Sequence, residues 1–354
     1  MASAATREPL SLAYAALHGE TPSAESSSIA AEALDARRQS AAARLGSPSF
    51  APQVSSTHYG PAEIGSVQAA LQQLDHGSEM ASLSVDVATP EEIAQICGEM
   101  VVACYMPEAK EMVVSGSDQA VAGVPRDFAI AHEYGHHLAN SERSEIISAF
   151  EGGTIRWATY ERVCQFTRAH LLFPGDQGAH YWQNPQEAFA ESYAHLSDPT
   201  AKVPWQFTPL LRPTTAALAK IQADLERPWQ GPTTSTLTGS VSEAAPPAAG
   251  REVRGPQGTG LGSAVALGVP AGAYSGLVQT PLDGQVTVSV QAPPGVSLAV
   301  SLQDPRSGRT LARASTGEGG ATSVGYANCG RDALRLLVAS QHGSGTFQAT
   351  ITKP

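Results

Sequence analysis

Three observations predict a mixed α/β domain followed by an all-β antiparallel sandwich. The 354 residues exceed one typical domain. Charge is divided unevenly: residues 229–354 hold eight Lys/Arg and six Asp/Glu, whereas residues 1–228 hold fourteen and twenty-seven. Hydrophobic spacing changes as well, from helical patterns mixed with short strands before Pro228 to repeated short alternating runs after Gly262. Apolar residues make up 42% and charged residues 16%, enough for sizeable cores and too little charge for a disordered chain. The net charge of −11 argues against nucleic acid or an anionic membrane as the main partner. No apolar run approaches the roughly 18 residues of a membrane-spanning helix.

Residues 1–55 are rich in Ala and Ser, with helical spacing near Leu10–Leu17 and Ile29–Leu45 but little that forms a core. They are expected to be an N-terminal helical extension or a prosegment, with Arg37-Arg38 as a cleavage point. The first residues lack a basic start followed by an apolar stretch, so no signal peptide is read here. Residues 56–228 form the α/β part. Ile64, Val67, Leu71 and Leu74 have helical spacing, and Ser82–Val87 alternates as a strand with Leu83, Val85 and Val87 on one side. Thr89 caps a helix that has Pro90 in its first turn and Glu91-Glu92 at the positive end of its dipole. Val101–Tyr105 and Glu111–Ser115 flank a turn at Met106–Lys110 and predict a hairpin. Cys97 and Cys104 are expected to bridge a small loop. Cys164 and Cys329 fall in different domains and are expected to be unpaired, Cys164 as a buried thiol. A linker is expected over 229–262, which is dense in Pro, Gly, Ser, Thr and Ala. In residues 263–354, Val286, Val288 and Val290 alternate with polar residues, as do Leu298, Val300 and Leu302. Turn signals at Asp283-Gly284, Pro293-Pro294-Gly295 and Gly343-Ser344-Gly345 complete the sandwich pattern.

The chemistry concentrates in Phe128-Ala-Ile-Ala-His132-Glu133-Tyr134-Gly135-His136-His137-Leu138. Ala131, Gly135 and Leu138 recur at i, i+4 and i+7, which makes the segment a helix with a buried stripe. His132 and His136 then lie one above the other, a spacing at which two imidazoles bind one Zn²⁺. Glu133 stands beside them, placed to take a proton from water activated by the ion. His137 is expected to be a solvated neighbour. A second segment, Asn184-Pro-Gln-Glu187-Ala-Phe-Ala-Glu191, reads as a capped helix with both carboxylates on one face. Like charges at that spacing repel unless something cationic is near, and a zinc ion with its histidines would supply the charge. Glu187 as a capping carboxylate, Glu191 as a surface charge and His195 as a rival ligand are the alternatives.

These two segments resemble the gluzincin zinc metallopeptidases, and Glu187-Ala-Phe-Ala-Glu191 is similar to the corresponding helix of the anthrax lethal factor catalytic domain. The resemblance covers about 25 residues. It implies a zincin-like metallopeptidase domain over 56–228, with His132, His136 and Glu187 as metal ligands, Glu133 as catalytic base and Glu191 orienting a ligand histidine. The family's catalytic tyrosine stands seven residues before the ligand Glu. That place is His180 here and Tyr181 follows it, so either side chain is expected to steady the oxyanion. The resemblance further implies that Glu111–Ser115 is the strand along which a substrate peptide lies antiparallel. Residues 263–354 resemble the bacterial pre-peptidase C-terminal domain, which implies attachment to a surface or matrix.

The expected function is therefore that of a secreted zinc metalloendopeptidase acting on protein or peptide substrates, in a mature form without its signal peptide. A binding protein or adhesin on an inactive, zinc-stabilised scaffold is the first alternative. A toxin-like protease with one narrow target is the second.

Overall fold

The computed structural model describes residues 51–98, 101–118, 123–142, 152–243 and 269–354. The helical stretches expected within residues 1–50 lie outside the described residues, as do residues 244–262 of the expected linker. The chain divides between Trp229 and Gln230 into two compact units.

The first unit mixes helices with one four-stranded sheet. Strands β1 (Gln53–Ser55), β2 (Ser84–Ala88), β3 (Ala103–Met106) and β4 (Glu111–Ser115) stand in the order β1-β2-β4-β3. β1 and β4 run parallel to β2, and β3 runs antiparallel to β4. Two expectations are corrected here. Residues 53–55, assigned by sequence to the N-terminal extension, pair with Ser84–Asp86 and belong to this sheet. Glu111–Ser115, expected to lie along a substrate, is bonded on both sides, and the edge of the sheet next to it is β3. A hairpin was legible in the sequence, but whether its second strand faces another strand or open space depends on the distant β2.

Helices α1 (Pro61–Gln73), α2 (Pro90–Cys97), α3 (Arg126–Ser141), α4 (Ile155–Tyr160), α5 (Val163–Arg168), α6 (Pro185–Ser197) and α7 (Thr215–Glu226) surround the sheet. The cap of α2 is reciprocal: Glu92 N donates to Thr89 Oγ1 at 3.3 Å and Thr89 N donates to Glu92 Oε2 at 2.9 Å. Such a box is worth about 1 kcal/mol. At its other end α2 is tied to β3 by the expected disulfide Cys97–Cys104. Cys164 and Cys329 are disulfide-bonded as well, so the expectation of unpaired thiols is corrected.

Two contacts set the frame of the site. α3 and α6 cross where Gly135 meets Ala190: a Cβ placed on Gly135 would lie 2.8 Å from Ala190 Cα and 3.2 Å from its carbonyl oxygen. Around this point Tyr134, Phe189 and Tyr193 are fully buried in the core that also holds Val85, Val87 and Met112 of the sheet. The start of α4 is held by buried carboxylates. Asp224 accepts from Arg156 N at 3.1 Å and Trp157 N at 3.3 Å, and Glu142 accepts from Ile155 N at 3.3 Å. Glu142 Oε1 has no partner among the described residues. Burial, with Asp224 nearby, pushes the Glu142 carboxyl up to about 8.

The second unit is a pair of antiparallel sheets. β5 (Thr233–Val241), β7 (Gly284–Gln291), β10 (Ala321–Asn328) and β12 (Gly345–Lys353) form one, in the order β10-β7-β12-β5. β6 (Tyr274–Gln279), β8 (Ser297–Gln303), β9 (Thr310–Ser315) and β11 (Ala333–His342) form the other, in the order β6-β11-β8-β9. Val286, Val288, Phe347, Leu298, Leu302 and Leu336 from both sheets close on one apolar core. The first part of the expected linker is therefore strand: β5 pairs with β12 from Thr233↔Lys353 to Val241↔Gly345. Its Thr-Thr-Ser-Thr composition gives weak hydrophobic alternation, because most of the strand faces solvent. No helix among the described residues is long and apolar enough to cross a membrane.

Gly135→Ala is expected to lower stability by about 1–3 kcal/mol, since the backbone of Ala190 cannot yield. Gly65→Ala on α1, where an added Cβ meets nothing within 4 Å, is expected to raise it by about 0.5–1 kcal/mol. Denaturant melts of both variants check this pair. Glu142 has a folded pKa above its ordinary 4.5, so its contribution to stability is full below that value and is lost as pH rises through about 8. Glu142→Gln should flatten the fall in Tm over that interval.

Candidate metal centre

The residues that could hold a metal ion sit on α3 and α6, and the close crossing of these helices brings them together. His132 Nε2 lies 3.4 Å from Glu187 Oε2, and His136 Nε2 lies 3.5 Å from the same oxygen. One ligand atom from each of the three residues falls within 4.8 Å of the others. Ligands at about 2.0–2.2 Å around a tetrahedral ion stand about 3.3–3.6 Å apart. The two histidine-to-carboxylate distances match that spacing, and the donor set, two imidazole nitrogens and one carboxylate, suits a small divalent cation. Glu187 is not a capping carboxylate: Asn184 Oδ1 caps α6 by accepting from Gln186 N at 3.1 Å, which leaves Glu187 turned to the histidines.

Glu191 is buried rather than a surface charge, and its Oε2 stands 3.3 Å from His132 Nδ1. That contact orients the ring, with Nδ1–H donating to the Glu191 carboxylate and Nε2 turned toward Glu187, where it could serve as a metal ligand once deprotonated. His195 is not in the ligand group. Its Nε2 is 3.8 Å from Glu191 Oε1, and its ring meets Phe128 edge to face. Glu187 also accepts from Gln177 Nε2 at 3.0 Å and from Tyr181 Oη at 3.1 Å.

The electrostatics favour a cation. Burial works against the His132 imidazolium, but Glu187, Glu191 and Glu133 outweigh it and push its pKa up to about 10. For Glu187 burial works upward, yet His132 and His136 hold the carboxyl well below the usual range. Without a metal, a proton supplies the positive charge; a metal would displace it. Glu133 is buried beside the histidines, and burial raises its pKa against the pull of both imidazoles. Burial, then the Glu187 charge, raises the Tyr181 phenol well above its ordinary value, so its hydroxyl stays a donor.

The group opens on a cleft of about 1230 Å³. One wall carries Val101, Val102 and Cys104 at the edge strand, and the other carries Tyr181, Trp182, Val203 and Phe207. Of the two residues left open for the oxyanion role, Tyr181 is on the cleft and His180 is not among its lining residues. The His180 ring stacks on Phe173 at 3.8 Å and pairs with Asp176 Oδ2 at 3.0 Å. Trp157 is core, whereas Trp182 is 41% exposed and lines the cleft.

Sequence reasoning misplaced one histidine and missed one amide. His137, expected in solvent, is 1% exposed. The signal was present: Ile130, Tyr134 and His137 recur at i, i+4 and i+7, a second buried stripe of α3. Gln177 stands in a loop ten positions before Glu187, and nothing in its sequence context marks it.

No protein-family model and no curated protein sequence matches this chain. Among solved structures, a chain is similar from the work described as "Bacillus endospore appendages form a novel family of disulfide-linked pili". The identity is 10%, the match covers 35% of this chain and 88% of that one, and the TM-score is 0.19. At that score the likeness carries no argument about this protein.

Metal titration of the purified chain should separate the roles. Glu187→Ala is expected to abolish tight binding, Glu191→Ala to weaken it about 10–100-fold, and His195→Ala to leave it unchanged.

Proposed function

We propose that this protein is a zinc-dependent metalloendopeptidase of the zincin type, secreted, with its second unit serving attachment to a surface or matrix. The observation that carries the reading is the convergence of His132, His136 and Glu187 at ligand spacing, with the buried Glu133 beside them on an open cleft. Those three residues would hold the zinc, which would supply Lewis acidity for a scissile carbonyl and for lowering the pKa of a water.

The remaining chemistry belongs to the chain. Glu133 takes a proton from the attacking water and passes it to the leaving amine, and burial raises its pKa toward the working range of a general base. The Tyr181 hydroxyl, 3.1 Å from the ligand carboxylate, donates to the oxygen on which negative charge develops. Glu191 holds the His132 ring in one tautomer. The edge strand β3 offers an unpaired side to an extended peptide, which main-chain hydrogen bonds would hold across the site. Two disulfides are compatible with an oxidising exterior.

Digestion of denatured casein tests the proposal. Glu133→Ala is expected to keep its zinc and lose hydrolysis by roughly 10²–10⁴-fold. Chelation should abolish activity and added Zn²⁺ restore it. A zinc-loaded wild type that cleaves nothing, indistinguishable from Glu133→Ala, would favour a binding protein on an inactive scaffold.

A further inference from the structure

The turn of α3 that carries the ligand His136 also carries a strut to the edge strand. His137 Nε2 lies 3.0 Å from the Glu79 carbonyl oxygen, and His137 Nδ1 lies 3.0 Å from Tyr105 Oη on β3. Asn140 Nδ2, one turn further along α3, donates to Tyr105 Oη at 3.0 Å and to the Pro107 carbonyl at 3.1 Å. Donor and acceptor capacities allow one arrangement. The Glu79 carbonyl can only accept, so Nε2 carries the imidazole proton. Nδ1 then presents a lone pair and accepts the Tyr105 O–H, while the Tyr105 oxygen accepts from Asn140. Glu79 is itself anchored, its Oε1 accepting from Tyr134 Oη at 2.5 Å and from Gly77 N at 2.7 Å.

We propose that His137 and Tyr105 are positioning residues that set the distance between the edge strand β3 and the metal-binding helix α3. Among the described residues β3 pairs with a strand on one side only, and Val102–Tyr105 line the same cleft as His132, Glu133 and His136. Successive residues of a strand point to opposite faces. Cys104 is therefore fixed to α2 on one face through Cys97, and Tyr105 is fixed to α3 on the other. A strand secured this way holds its free edge at a constant offset from the metal, independently of whether a peptide is bound. The consequence for turnover rests on the peptidase reading; the strut itself does not.

Three measurements on the full chain with zinc bound test this. In Tyr105→Phe, deuterium exchange over residues 102–107 should speed up by about tenfold or more while α6 is unaffected. Zinc affinity should stay within about twofold of wild type, because no ligand orientation changes. In casein-derived peptide assays KM should rise about three- to tenfold with kcat nearly constant. His137→Asn keeps an acceptor for the Tyr105 hydroxyl and should lie closer to wild type than His137→Leu. Unchanged exchange in β3, a parallel loss of zinc affinity, or equal effects of Asn and Leu at position 137 would overturn the proposal. The exchange and metal measurements need no turnover. A wild type that hydrolyses no peptide would thus retire the peptidase reading and leave the strut to be judged on those two results.

Discussion

The approach of α3 to α6 at Gly135 and Ala190 is the constraint on which the site depends. With a 2.8 Å contact awaiting any Cβ at position 135, only glycine lets the two backbones come this close. The proximity has a direct chemical result, because His132 and His136 flank Gly135 on α3 and Glu187 lies less than one turn before Ala190 on α6. Side chains that reach only a few ångströms from their backbones meet because the helices do. The aromatic packing of Tyr134, Tyr193 and Phe189 around the crossing keeps it from relaxing.

Electrostatics then make the cluster demand a cation. Glu133, Glu187 and Glu191 are all buried within reach of two imidazoles. Three carboxylates taken out of water repel one another, and burial of each charge is costly unless it is paired. The same pressures explain opposite outcomes at neighbouring groups: His132 is driven toward the charged form, while Glu133 is driven toward the neutral one.

Around the cluster, covalent and hydrogen-bonded ties add to the apolar core in holding the cleft walls. β3 has a strand partner on one side only, and α2, α3 and a disulfide secure it. The opposite wall is an aromatic group in which Trp182 and Phe207 pack against Tyr181. The wall is apolar at Trp182 and Phe207 and polar where Gln177 and Tyr181 reach the Glu187 carboxylate.

The sequence by itself determined what is local. Helical spacing placed His132 and His136 on one face, the Thr89 and Asn184 caps fixed where α2 and α6 begin, and period-two alternation marked the core strands of the second unit. These follow from interactions within a few residues, whose geometry the 3.6 and 2.0 periodicities dictate. The tertiary structure decided everything that depends on a distant partner. It placed Tyr181 on the cleft and sent the His180 ring onto Phe173. It buried His137 by bringing Glu79 and Tyr105 to it, made β3 rather than β4 the edge by pairing β4 with β2, and drew β5 out of an apparent linker by pairing it with β12. In each case the deciding neighbour lies far along the chain or in a loop without periodicity, so no local pattern encodes which side of an element will be covered.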